Sequence, residues 1–229
     1  MKCDLCPRKC LVDRKKGEKG ICGQTENLKV ARAALHFWEE PCISGDAGSG
    51  AVFFSGCPLH CVFCQNENIA NGTVGKEISL ERLVDIFLEL QEKRANNINL
   101  VTPGHFVPQI VKALDQARKE GLTLPVVYNT SSYETVDTIK MLEGYVDIYL
   151  PDFKYMSPGL SKKYSHVSDV DLAVKGYGSP MVRADFEEAV KNLPVLLMFD
   201  IVDYDSILVS DVLRKEIDEK GILLYQNTF

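Results

Sequence analysis

Residues 51–64 read AVFFSGCPLHCVFC. The first five form a short apolar, aromatic run of the kind that fills a buried strand, and Gly56 ends it. The next eight carry Cys57, Cys61 and Cys64, so ligand-type side chains crowd the exit of that strand. Ser79 then opens a helix in which Leu80, Leu83, Val84, Phe87 and Leu88 share one face. INLVT (98–102) reads as a second strand. A helix from about residue 106 to 120 follows, with Val107, Ile110, Val111 and Leu114 as its stripe and Gly121 just past its end. The unit recurs as PVVYNT (125–130), a helix opened by Ser132 and stopped at Gly144, and VDIYLPDF (146–153). Strands alternating with helices predict an α/β fold, with parallel strands joined by right-handed crossovers and curling toward a partial parallel (β/α) barrel. In such folds the chemistry lies in loops after the strands, here 56–64, 102–105, 129–133 and 151–155.

The composition suits a globular chain. Of 229 residues 45% are hydrophobic and 25% charged, which excludes disorder, collagen and a pure coiled coil. The net charge of −6 gives no overall basic field, so neither nucleic acid nor a membrane is expected as a partner. All eight cysteines fall within the first 64 residues. MKCDLCPRKC has no apolar run and no small-residue cleavage site, so it does not read as a signal peptide. No run of about 18 apolar residues suggests a membrane span. The expected location is cytoplasmic, where clustered thiols serve as ligands or catalysts rather than bridges.

Cys57-x3-Cys61-x2-Cys64 can hold three corners of a cubane iron–sulfur cluster and leave the fourth iron open for chemistry. The alternative is a zinc loop completed by His60 or a distant cysteine. A second set is Cys3-x2-Cys6-x3-Cys10-x11-Cys22, enough to close a structural zinc or a second iron–sulfur cluster. Residues 1–24 contain almost no core and need such a ligand for order. Cys42 reads as a small buried residue. His36, Trp38 and Glu39 read first as an aromatic segment packed on the barrel, and second as an active-site lining.

SGCPLHCVFCQN (55–66), with Phe63 before the third cysteine, resembles the cluster loop of the radical S-adenosylmethionine (radical SAM) superfamily. LCPRKC, G-x-x-G-x-C-G, ARAALHFWEEPCISG, GSGAVFFSGC and VDIYLPDFKY narrow the resemblance to an uncharacterised branch related to pyruvate formate-lyase activating enzymes. The resemblance covers about residues 1–166. It implies that Cys57, Cys61 and Cys64 ligate a 4Fe–4S cluster whose open iron chelates S-adenosylmethionine. One electron then gives a 5′-deoxyadenosyl radical for hydrogen abstraction. It further implies a glycyl radical enzyme as protein substrate and a flavodoxin- or ferredoxin-type electron donor. Phe63 would lie near the adenine, and Asp152 and Lys154 would hold the cofactor. Gly104 and His105 stand where relatives have a Gly-Gly-Glu, so His105 would replace the carboxylate. Asn129 would contact the ribose. Such barrels usually have six βα units, and the four found here imply a truncated barrel.

From about residue 167 the sequence changes character. The tail resembles a truncated minimal nucleotidyltransferase, with Asp169, Asp171 and Asp200 at its metal-binding carboxylate positions and without its glycine–serine loop. The expected organisation is a Cys-rich metal-binding extension (1–45), a partial barrel (46–166) and a small α/β tail (167–229). Helices are expected over 184–193 and 210–220, and strand 194–203 should pair with 169–174 and 222–225 in a separate sheet. Three functions follow: a radical SAM enzyme of the activating type, a catalytically impaired iron–sulfur or zinc protein, or a nucleotidyltransferase remnant.

Overall fold

The computed structural model describes residues 2–37, 39–152, 158–165, 167, 173–174 and 202–203. Its main sheet has six strands in the order β3-β1-β2-β4-β5-β6. Four of them, β2 (Ser49–Phe54), β4 (Ile98–Val101), β5 (Val126–Thr130) and β6 (Ile148–Pro151), are the expected parallel set. β1 (Lys29–His36) and β3 (Lys76–Glu77) add to the β2 edge in antiparallel fashion. The sheet is therefore mixed and mostly parallel, a partial β/α barrel. β1 lies on the N-terminal side of residue 45 yet shares a full ladder with β2. KVARAALH escaped the sequence reading because small residues and one arginine blur its alternation.

The helices follow the apolar stripes. Two short ones, α1 (Pro41–Ser44) and α2 (Glu67–Ala70), flank β2 and its following loop. α3 (Leu80–Glu92) starts at Ser79, whose side chain accepts a hydrogen bond from the Arg82 amide. α4 (Val107–Lys119) ends before Gly121, which takes a φ of 104° that other residues resist. Between the sheet and these helices lies the core, where Phe54, Phe87, Leu100, Phe106, Ile110 and Leu114 are completely buried.

α5 (Val136–Met141) corrects one expectation: its N-cap is Thr135, which accepts from the Thr138 amide. Ser132 instead sits at φ 61° and donates to the Asp152 carbonyl oxygen. The YNTSSYET run offers several capping residues, and the one that packing aligns with the helix axis wins. α6 (Pro158–Ser165) follows β6. β7 (Ala173–Val174) pairs in parallel with β8 (Val202–Asp203), as expected, in a sheet separate from the main one. The helices expected over 184–193 and 210–220, the strand expected over 222–225 and the rest of strand 194–203 lie outside the described residues. Among the described residues no helix is long and apolar enough to cross a membrane.

Candidate functional site

The three-cysteine loop leaves β2 through Gly56, whose φ is 90°. A Cβ on Gly56 would run into the Cys22 carbonyl oxygen and the Gln24 side chain. The glycine thus lets the N-terminal segment lie directly on the loop. The loop turns at His60, at φ 51°. Its ring nitrogens face the Ile21 carbonyl oxygen at 2.7 Å and Asn71 Oδ1 at 3.2 Å. With both nitrogens engaged, His60 is not the fourth ligand that a zinc loop would need.

Cys57, Cys61 and Cys64 are free thiols, each partly exposed. Burial pushes Cys57 up to about 11, and Cys61 and Cys64 lie close enough to add to that shift. A bound metal reverses this logic, because thiolate ligands then face a cation. Leu59, Tyr133 and Val167 pack under the loop and keep water from its inner side. Ser165 Oγ donates to Cys61 Sγ at 2.8 Å. The Val62 amide donates to the Tyr164 carbonyl oxygen at 3.0 Å. Phe63 is 52% exposed and meets the Tyr164 ring edge-on at 6.3 Å. α6 therefore backs the loop from outside. A cleft of about 400 Å³ opens beside it, lined by Cys64 to Ile69. The loop thus offers three soft donors of the kind a cubane cluster takes, and among the described residues no three His, Cys, Asp or Glu side chains converge on one ion-sized point.

Arg8 ties the N-terminal segment to this loop. Its guanidinium donates to the carbonyl oxygens of Pro58 at 2.8 Å and Ser165 at 2.9 Å, and lies 5.9 Å over the Tyr133 ring. Arg14, buried, donates to the carbonyl oxygens of Thr25 and His105 and lies 5.4 Å over Phe106. Cys42, expected to be buried, is exposed at the start of α1, with its backbone in a helical turn that Pro41 begins.

The loop after β4 departs from expectation. His105 turns toward the interior. It is buried, its Nε2 donates to the Ser55 carbonyl oxygen at 2.7 Å, and its ring packs on Phe106 at 4.4 Å. The imidazole joins the end of β2 to the turn after β4, so packing decides its direction. Burial holds it down at about 4, whereas the unfolded chain protonates it near 6.5. Below about pH 6.5 the unfolded state takes up a proton that the folded state refuses. Stability should therefore fall as the pH drops toward 4, by up to about 3 kcal/mol. Urea melts of the parent and of His105→Gln at pH 7.5 and 5 check this: the variant should lack that part of the acid-side loss.

Gly104 also serves packing. Its missing Cβ makes room for the Glu134 carboxylate, whose oxygens would lie 2.5 and 2.6 Å from it. Glu134 went unnoticed in the sequence. It accepts from Thr130 Oγ1 at 2.8 Å, and burial raises it to about 7.

The face of the sheet opposite α3 and α4 carries a polar group. Asn99 lies on β4 between Ile98 and Leu100, which enter the helix-side core, so alternation turns it the other way. It is fully buried, and its amide stands close enough to Glu39 to lower that carboxyl as a side-chain hydrogen bond does. Asn129, on the neighbouring strand two residues past Asn99's partner Val127, donates to Glu39 Oε2 at 3.3 Å. His36 Nε2 lies 3.9 Å from Glu39 Oε1. Burial raises the Glu39 carboxyl, and the nearby Glu40 and Asp152 carboxylates add to that rise. The segment read as packing thus brings Glu39 to Asn129 and within reach of Asp152. Asn99 was missed, although a lone amide in the strand INLV is a legible signal. Trp38, Lys154, Asp169, Asp171 and Asp200 lie outside the described residues.

The profile of the family described as the Radical SAM superfamily matches residues 51–193. That span begins on β2, includes the three-cysteine loop and runs past residue 166. An uncharacterized protein of Methanocaldococcus jannaschii is 28% identical over 222 residues, 94% of this chain. The chain spans 62% of that relative's length.

Proposed function

The chain belongs to the radical SAM superfamily, and from that premise we propose that it cleaves S-adenosylmethionine reductively to take a hydrogen atom from a backbone glycine of a partner enzyme. Cys57, Cys61 and Cys64 would hold a 4Fe–4S cluster. When bound, cluster and S-adenosylmethionine supply one-electron cleavage of a carbon–sulfur bond, giving methionine and a 5′-deoxyadenosyl radical. The chain would accept its electron from a flavodoxin- or ferredoxin-type donor.

The observation that carries this reading is the three-thiol loop at the exit of β2, held open by Gly56 and backed by α6. The chain's own part is to position and to shield. Leu59, Tyr133 and Val167 exclude water behind the loop. Ser165 donates to one ligand sulfur, and such hydrogen bonds tune a cluster's potential. Asn129 and Asp152, with Glu39 and Asn99, would orient the polar parts of cofactor and substrate on the same face of the sheet.

Anaerobically reconstituted protein, given reductant and S-adenosylmethionine, should form methionine and 5′-deoxyadenosine in equal amounts. A glycyl radical enzyme labelled with α-deuterated glycine should pass deuterium into the 5′-deoxyadenosine. Cleavage without deuterium transfer would remove the glycyl substrate and leave the cleavage; a cluster-loaded protein that forms no 5′-deoxyadenosine would remove both.

A further inference from the structure

We infer that Cys3, Cys6, Cys10 and Cys22 form a second metal centre, held by thiolates alone, that orders the N-terminal segment against the three-cysteine loop. The family match starts at residue 51 and does not include these residues. Segment 2–28 contributes only Cys6, Cys22 and Leu28 to the buried apolar residues. A stretch with so little apolar burial cannot by itself offset the entropy of its ordering. Its fold nevertheless gathers all four thiols.

The gathering is built by backbone. The Cys3 amide donates to the Val12 carbonyl oxygen at 2.9 Å, and the Leu11 amide returns a bond to the Cys3 carbonyl oxygen at 3.0 Å. Between them the chain reverses: the Lys9 amide closes a turn on the Cys6 carbonyl oxygen at 3.0 Å, with Lys9 at φ 41° and Leu11 at φ 54°. This two-rung hairpin carries Cys3, Cys6 and Cys10. A second turn, closed by the Gly23 amide on the Gly20 carbonyl oxygen at 2.9 Å, presents Cys22 to it. The position a Cβ would take on Gly20 lies 3.2 Å from Cys10 Sγ and 3.4 Å from Cys22 Sγ. Cys6 lies within electrostatic reach of Cys3 and Cys22, and Cys22 within reach of Cys3 and Cys10. All four are free.

The four thiols are gathered rather than closed. Among the described residues no three His, Cys, Asp or Glu side chains surround a single ion-sized point. A thiophilic metal supplies the attraction that closes such a set, and its binding energy then stabilises the fold around it. The shared chemistry is a soft metal held by four thiolates, either zinc or an iron–sulfur cluster. The centre abuts the catalytic loop. The Cys22 carbonyl oxygen lies against Gly56, Ile21 accepts from His60, and Arg8, two residues from Cys6, grips Pro58 and Ser165.

The test is independent of radical chemistry. In the full-length variant Cys57→Ala/Cys61→Ala/Cys64→Ala, expressed anaerobically with iron and zinc supplied, metal analysis should find one retained centre. About one zinc or about four irons per chain identifies its type. Adding Cys6→Ala and Cys22→Ala should lower the bound metal at least tenfold, and Cys42→Ala should not. A chelator titration of the triple variant should release the metal together with a loss of protease resistance in residues 1–24, which keeps the test valid if the five-fold variant fails to fold. A triple variant without stoichiometric metal, or metal retained after Cys6 and Cys22 are removed, overturns the proposal.

Discussion

Replacing Cys61 by alanine should abolish formation of 5′-deoxyadenosine while leaving the fold intact. The loop offers three thiols, and the only histidine within it is engaged with Ile21 and Asn71. Two thiolates cannot stand in for three, because a cubane with two unsupported irons is labile. Cys61 also accepts from Ser165, so its loss removes one of the contacts by which α6 backs the loop, while the Val62–Tyr164 bond remains. The rate should fall by about 10³-fold or more, toward the uncatalysed background. Bound iron should fall with it to the level of the N-terminal centre alone. Far-ultraviolet circular dichroism should match the parent, since the main core cluster includes no residue of the loop. Cys42→Ala is the control, because its thiol is exposed and belongs to neither set. Parent activity in Cys61→Ala would exclude the loop as the cluster site.

The second large effect is expected at Gly56, which touches no cofactor in the proposed scheme. Gly56→Ala places a methyl group against the Cys22 carbonyl oxygen, at a φ of 90° that alanine resists. Backbone strain and overpacking together should cost about 2–4 kcal/mol. For a chain of this size that lowers the melting temperature by on the order of 10 °C. The alternative to strain is separation, in which the N-terminal segment lifts away from the loop. The His60–Ile21 contact would then break and the Arg8 grip on Pro58 would loosen. Faster loss of cluster colour on exposure to air, together with new protease cleavage within residues 1–24, would record that separation. Gly121→Ala is the comparison: it has a similar φ of 104° but nothing within 4 Å of the added Cβ, so it should cost the strain without the uncoupling. Equal effects at the two glycines would mean that contact between segment and loop contributes little.

The contrast between Gly56 and Gly104 shows where reading a sequence succeeds and where it stops. Both glycines stand in loops at strand exits, the place where this architecture puts its chemistry. Gly56 makes room for the backbone of a segment some thirty residues earlier, and Gly104 makes room for a carboxylate thirty residues later. Neither neighbour is visible in local spacing. His105 fails for the same reason: a histidine in a functional loop reads as a ligand, and only packing against Phe106 and Ser55 turns it inward. Glu39 fails in the opposite direction. HFWEE reads as a packing segment, yet β1 ends where Glu39 can reach Asn129 across a sequence separation of 90.

What this sequence determined by itself is whatever depends on short range. The strand–helix period, the caps at Ser79 and Gly121, and the two cysteine sets follow from spacings of a few residues, within which backbone geometry and ligand bite are fixed. The parallel order of β2, β4, β5 and β6 follows as well, because a helical crossover between adjacent strands allows little else. Tertiary structure alone decided which loop residues face a cofactor and which face the core. It also placed β1 beside β2 and laid the N-terminal segment on the three-cysteine loop. Those outcomes balance burial, hydrogen bonding and excluded volume among residues from about a dozen to more than a hundred positions apart, and no local pattern records such a balance.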